Sequence, residues 1–245
     1  MISIITVVYN DPAGLEKTIK SVSSQKLPRH SIEFVVVDGG SGPDTVKVIN
    51  DYVSFISSWV SERDNGIYDA MNKGISLAKG NWIYFLNAGD TLDNENVLSV
   101  LLKEINTISG NVNLFYGGYR TDGIIQEQEC SLSFLISHML NHQSMIYHRS
   151  LFKQTYNTRY RFCADYAHLL CVWKNLKPKA LDLCIANFDT TGVSSQAHNK
   201  SWMWKERLHA VWQSDFNILQ KMLLSSRGLI AWPYHSVKNF LTRSN

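Results

Sequence analysis

The chain has 245 residues, 44% of them hydrophobic and 18% charged, with a formal net charge of +3. It can therefore bury one sizeable core, with or without a smaller appendage, and it is neither disordered nor fibrous in composition. The charge is too small to argue for nucleic acid, and no uninterrupted apolar run reaches the ~20 residues that cross a bilayer. The opening MISIITVVYN carries no basic n-region and no cleavage site, so the sequence points to a cytoplasmic protein without a signal peptide. Cys130, Cys163, Cys171 and Cys184 form no CxxC pair and sit in apolar context, which favours buried, reduced thiols over disulfides or a zinc site.

In chain order, ISIITVVY (2–9) is a β-branched run too apolar for a half-exposed strand, followed by Asn10, Asp11, Pro12 and a helical stretch from Leu15 to about Ser23. FVVVD (34–38) repeats the strand signal and leads through the loop GGSGPD (39–44) to a helix carrying Val46, Ile49 and Val53. SWVSE (58–62) reads as a third strand. After the turn Asp64-Asn65-Gly66, the apolar spacing of Ile67, Ala70, Met71, Gly74, Ile75 and Ala78 predicts a helix, with Gly80 placed to end it. NWIYFL then predicts a fourth buried strand that delivers Asn87 to Asp90 at its end. Four strands alternating with three helices imply an α/β fold with a doubly wound, mostly parallel sheet.

In such a sheet ligands bind outside the carboxyl ends of the strands. Those ends carry Tyr9-Asn10, Asp38 and Asn87 to Asp90. Capping of the following turns and helices would account for Asp38 or Asp90 alone. The coincidence of both with Asn10 at matching ends favours one shared site. No GxGxxG follows the first strand and no GxxxxGK[ST] occurs, so neither a dinucleotide fold nor a P-loop is supported. Isolated carboxylates at strand ends suit a divalent cation that takes diphosphate oxygens as further ligands. An Asp such as Asp38 can equally accept from a base N–H or a ribose hydroxyl. Together these demands describe a nucleotide diphosphate.

TVVYN, VVDGGS, ERDNGIYDAMNKGISLAKG and FLNAGD, in this order and spacing, resemble the nucleotide-sugar-binding half of the family 2 inverting glycosyltransferases with the GT-A fold. The likeness is closest to the subgroup that builds bacterial exopolysaccharides and O-antigens, including the colanic acid glycosyltransferases. NHQSMIYHRSLF (141–152), ADYAHLL (164–170) and TTGVSS (190–195) resemble the acceptor-side motifs of the same subgroup. The resemblance covers about residues 1–200 and implies a transferase domain over 1–199, with a donor half (1–105) and an acceptor half (106–199).

It further implies that Thr6, Tyr9 and Asn10 lie against the nucleotide, that Asp38 reads the base or ribose, and that Asp69 and Asn72 approach the ribose or diphosphate from their helix. FLNAGD takes the place of the family's acidic metal motif, but with Asn87 and Gly89 where many members have carboxylates. Asp90 is left as the strong metal ligand, with Asn87 able to bond a ribose hydroxyl; a weakly held Mg²⁺ or Mn²⁺, bound largely through the substrate's phosphates, is expected. Asp165 in ADYAHLL is implied as the base that deprotonates the acceptor. Read without the resemblance, Asp165 is a helix N-cap, because Tyr166, Leu169 and Leu170 follow at helical spacing. His142 and Gln143 are implied to contact acceptor or diphosphate, although a lone His is more often structural. TTGVSS would form either a loop that closes over the donor or an ordinary turn.

Residues 200–245 differ in character. They hold seven Lys or Arg against two acids, whereas residues 1–199 hold seventeen against nineteen. Four of the seven tryptophans, Trp202, Trp204, Trp212 and Trp232, also fall here. Basic residues interleaved with aromatics suit an anionic membrane surface, which fits a lipid-linked saccharide acceptor. The spacing of Leu208, Val211, Trp212 and Phe216 equally predicts a helix packed on the rest of the protein. Two functions remain: an inverting transfer from a nucleotide sugar, or a catalytically impaired relative serving as a binding subunit of a polysaccharide assembly complex.

Overall fold

A computed structural model of the chain describes residues 1–108, 110–192 and 196–243. It divides into two compact units: Met1–Gln128 with Asn141–Thr155 and Leu176–Asp189, and Glu129–Leu140 with Tyr156–Asn175 and Thr190–Asn245. The C-terminal helices thus group with two short segments from inside residues 106–199.

The first unit is α/β. Its elements, in order, are β1 (Ile2–Val8), α1 (Pro12–Ser23), β2 (Ile32–Asp38), α2 (Pro43–Asp51), β3 (Ser58–Ser61), α3 (Ile67–Leu77), β4 (Trp82–Phe85), β5 (Thr91–Leu92), α4 (Val97–Thr107), β6 (Leu114–Thr121), β7 (Ile124–Gln126), β8 (Met145–His148) and β9 (Pro178–Asn187). Among the described residues they form a nine-stranded sheet in the order β3-β2-β1-β4-β8-β6-β9-β5, with β7 on β6. The expected parallel set is present: β1 pairs in parallel with β2 and β4, and β2 with β3. β1 and β2 are buried at every position because helices cover both faces, which is why their sequences are continuous apolar runs. β3 alternates between half-buried and exposed, as an edge strand does.

The other half of the sheet is mixed. β8 runs antiparallel to both β4 and β6, whereas β6 and β9 are parallel. Four-residue strands such as Met145–His148 carry no periodicity that fixes direction, so their pairing follows from the chain path.

Local chemistry sets the helix ends. The Asp11 side chain caps α1 by accepting from Gly14 N–H at 2.8 Å, and Pro12 supplies the fixed φ of the first turn. α1 buries Leu15, Thr18, Ile19 and Val22 at i, i+3, i+4 spacing. α3 ends at Leu77, three residues before Gly80. Gly80 serves close approach instead of helix termination: a Cβ there would lie 2.6 Å from Ser3 Oγ and 2.8 Å from the Met1 carbonyl oxygen.

The second unit is helical, with α5 (Leu132–Ser137), α6 (Ala164–Val172), α7 (Lys200–Gln213), α8 (Ile218–Ser225) and α9 (Gly228–Arg243). α7 buries Arg207, Ala210 and Val211, while Trp202 and Trp212 stay exposed. The Arg207 guanidinium donates to the carbonyls of Leu135 (2.9 Å) and His138 (3.0 Å) and lies over the Trp204 and Tyr166 rings, which offsets much of the cost of its burial, although Nε has no hydrogen-bond partner. All four cysteines are free, as expected, but only Cys163 is buried; Cys171 is exposed at the end of α6, where helical spacing turns it outward.

Candidate active site

The carboxyl ends of β1, β2 and β4 lie side by side in the parallel register, and the loops that follow them are tied together. Asn10, at φ +50°, donates its N–H to Ser41 Oγ (2.7 Å) and accepts Gly42 N–H on Oδ1 (3.0 Å). Asp38 is fully buried; its carboxylate accepts from Ser61 Oγ at 2.6 Å, from Ser41 N–H at 3.0 Å and from Ser41 Oγ. It therefore organises the loop after β2 and the end of β3. Tyr9 stands 66% exposed beside this loop, available to a flat ligand. Thr6 is completely buried, and its hydroxyl donates to the Leu86 carbonyl at 2.7 Å, a tie between β1 and the end of β4.

Asp69 and Asn72 lie on α3. Asp69 Oδ2 accepts Asn65 N–H at 3.0 Å, and Lys73 reaches Glu62 at 2.9 Å and the Arg63 carbonyl at 3.1 Å, so this helix holds the 62–66 turn. The Asp64 carboxylate packs over Gly39 close to the Tyr9 ring. Asp64 belongs to the Asp64-Asn65-Gly66 turn, and its place beside Tyr9 adds a carboxylate to this edge.

The Asn87–Asp90 turn is the centre of the arrangement. Thr18 of α1 holds it from below, donating to the Asp90 carbonyl at 2.7 Å and accepting Gly89 N–H at 3.1 Å. Asp90 is 3% exposed, with Oδ2 accepting from Gln143 Nε2 at 2.9 Å and Oδ1 from Asp189 N–H at 2.8 Å. Burial pushes the Asp90 carboxyl up from 3.8 to about 6, against those two hydrogen bonds and the nearby His142. His142 Nε2 lies 3.2 Å from Asn87 Nδ2, while Asn87 Oδ1 is buried without a hydrogen-bond partner. His142 and Gln143 sit in a single 3-10 turn (His142–Ser144) before β8, and Tyr84 of β4 donates to the Gln143 carbonyl at 2.8 Å. The antiparallel pairing of β8 with β4 is what carries the His-Gln pair onto this turn. Asp189 was missed in the sequence, although it follows a strand as Asp38 and Asp90 do.

A divalent cation fits this turn. The donor set is hard oxygen, the Asp90 carboxylate is costly to ionise unaided, and Asn87 Oδ1 is an orphaned buried acceptor. Among the described residues there is no group of three or more His, Cys, Asp or Glu placed to hold a metal ion by themselves.

Asp165 belongs to the helical unit. It occupies the first turn of α6, 9% exposed, and its Oδ1 accepts Tyr166 N–H at 2.9 Å. The N-cap position is Cys163, two residues earlier, so the capping reading of Asp165 does not hold. The N-terminal approach to α6 is secured by Glu206 of α7, which accepts Arg161 N–H (2.8 Å) on Oε1, and Phe162 N–H (2.9 Å) and Cys163 N–H (3.0 Å) on Oε2. In TTGVSS, residues 193–195 lie outside the described residues.

The fold resembles S. aureus TarS 1-349 in complex with UDP, with TM-score 0.72 and 17% identity over 93% of this chain and 70% of that one. It also resembles the mannosyltransferase PcManGT from Pyrobaculum calidifontis in complex with GDP-Man and Mn²⁺, with TM-score 0.70 and 15% identity over 96% and 73%. These likenesses establish the GT-A fold. An uncharacterised glycosyltransferase of Mycobacterium tuberculosis is 30% identical over 204 residues, spanning 79% of this chain and 77% of its own. A PGL/p-HBAD biosynthesis glycosyltransferase of Mycobacterium bovis is 29% identical over 205 residues, or 78% of each chain. Residues 3–167 match the sequence profile of glycosyl transferase family 2, and the chain belongs to that family.

Proposed function

We propose that the protein is an inverting glycosyltransferase that moves a hexose from a nucleotide-diphosphate sugar to a lipid-linked saccharide during assembly of a bacterial surface glycan such as an exopolysaccharide or O-antigen. The observation that carries this reading is the Asn87–Asp90 turn, where Asp90, Asn87, His142 and Gln143 meet at the end of β4 beside the loops after β1 and β2. The structural neighbours, one in complex with UDP and the other with GDP-Man and Mn²⁺, support a nucleotide-sugar donor. The mycobacterial relative's part in PGL/p-HBAD biosynthesis supports a lipid-linked acceptor.

In this reading Tyr9 stacks on the base, and Asn10, Asp38, Asp69 and Asn72 shape the loops around base, ribose and diphosphate. Thr6 contributes by fixing β1 to β4. Asp90 and Asn87 would hold Mg²⁺ or Mn²⁺, which would supply positive charge beside the departing diphosphate. His142 and Gln143 steady Asn87 and Asp90 and face the diphosphate or acceptor. Asp165 takes the proton of the acceptor hydroxyl as it attacks the anomeric carbon, a role worth ~10²- to 10⁴-fold in rate. Peripheral attachment to an anionic membrane is part of the same proposal. α8 exposes Ile218, Leu219, Met222 and Leu223, α9 exposes Leu229, Ile230 and Trp232, and the surrounding 46 residues hold seven basic groups against two acids. No helix among the described residues is long and apolar enough to cross a membrane.

The test is release of nucleotide diphosphate from UDP-, GDP- and dTDP-sugars, with and without Mn²⁺ and a lipid-pyrophosphate saccharide, in wild type, Asp90→Ala and Asp165→Ala. Acceptor-stimulated release from one donor, lost in both variants, is the expected result. Donor binding without turnover in the wild type, unchanged by Asp165→Ala, would favour the binding-subunit alternative.

A further inference from the structure

β5 and β9 pair antiparallel, with Thr91 opposite Asn187 and Leu92 opposite Ala186. Continuing that register by two residues sets Gly89 across from Asp189. The contacts agree with it. Asp189 N–H donates to Asp90 Oδ1 at 2.8 Å, and a Cβ on Gly89 would lie 3.1 Å from Asp189 Oδ2 and 3.5 Å from Asp189 Cβ. Gly89 itself sits at φ +94°, a conformation that disfavours a side chain. The turn thus has no carboxylate of its own at position 89, and the space a side chain would need there is taken by the carboxylate of Asp189, arriving from the other strand.

We infer that Asp189 is the second carboxylate of a divalent-cation site completed by Asp90 and Asn87, an assignment that rests on the metal-assisted reading above. The donor chemistry is consistent throughout. Both Asp90 oxygens are held by neutral N–H donors that leave further lone pairs, Asn87 Oδ1 is buried without a partner, and Asp189 adds anionic oxygen beside the glycine. A small hard cation needs one or two carboxylates of this kind and completes its shell with phosphate oxygens and water. The side chain at position 89 thus dictates nothing about metal use, because the strand pairing delivers the charge from 100 residues later in the chain.

The experiment is Mn²⁺ binding to the full chain, read by the electron paramagnetic resonance of free Mn²⁺, in the presence and absence of UDP and GDP. Wild type, Asp189→Asn and Asp189→Glu are compared, with nucleotide binding in EDTA measured separately. The expected result is a Kd for Mn²⁺ raised on the order of tenfold or more in Asp189→Asn. Nucleotide binding in EDTA should stay at the wild-type value. The metal-free melting temperature of Asp189→Asn should be at or above the wild-type value, because a charge that opposes ionisation of Asp90 is removed, and the Mn²⁺ Kd of Asp189→Glu should fall between the two. An Mn²⁺ Kd within about twofold of wild type in Asp189→Asn overturns the assignment. If that variant does not fold, an unchanged Kd in Asp189→Glu does the same, because the longer arm displaces the carboxylate by a methylene. A wild type that binds nucleotide but no Mn²⁺ sinks this inference and leaves the donor reading standing. A wild type that binds neither sinks both.

Discussion

Asp90→Asn should stabilise the metal-free protein at neutral pH, and by an amount that depends on pH. The Asp90 carboxyl is pushed from 3.8 to about 6, first by burial and further by the charge of Asp189; Asp189 N–H, Gln143 and His142 oppose the shift. A shift of about two units corresponds to roughly 3 kcal/mol. The sign follows from linkage. The folded state holds this proton more tightly than the unfolded chain, so the group's contribution is fully present below pH ~4 and is lost as pH rises through about 6. The amide is close to isosteric with the carboxylic acid and does not ionise. Its oxygen can still accept Asp189 N–H, and the Gln143 amide can turn to accept from its NH₂ group. Urea unfolding in EDTA should therefore show the variant gaining about 3 kcal/mol relative to wild type between about pH 4 and pH 8. Added Mn²⁺ with nucleotide should stabilise the wild type and not the variant. A stability difference constant to within about 0.5 kcal/mol across that range would show that the carboxyl is not strained by its surroundings, and the electrostatic case for a cation there would fail.

Two further outcomes are expected. Glu206→Ala should cost roughly 3 kcal/mol in urea unfolding, because three backbone N–H groups before α6 lose an ionised acceptor; Glu206→Gln should cost less, and equal losses in the two would refute the role of the charge. Wild-type protein should float with vesicles containing anionic phosphatidylglycerol, and Leu219→Ser with Ile230→Ser should release it while leaving nucleotide binding intact; retention of the double variant would remove α8 and α9 as the contact.

The sequence by itself determined the parallel half of the sheet, because a strand covered on both faces must be apolar at nearly every position. IITVV and FVVVD could hardly be read otherwise, and the acids and amides at their ends marked the sheet edge on which the proposed site rests. The spacing of Leu208 and Val211 marked a helix in the C-terminal segment, but Trp212, read on its packed face, is exposed. What only tertiary structure decided were the pairings between segments far apart in the chain. β8 is too short to declare its direction, yet its antiparallel seat against β4 brings His142 and Gln143 onto the Asn87–Asp90 turn. Thr18 looks like one more helix residue until its hydroxyl is seen holding that turn. Asp189 reaches Gly89 through a two-residue strand, and Glu206 reaches the start of α6 from another helix. In each case the partner is chosen by where the backbone leads, and a side chain's type and neighbours in sequence carry no record of which distant residue it will meet.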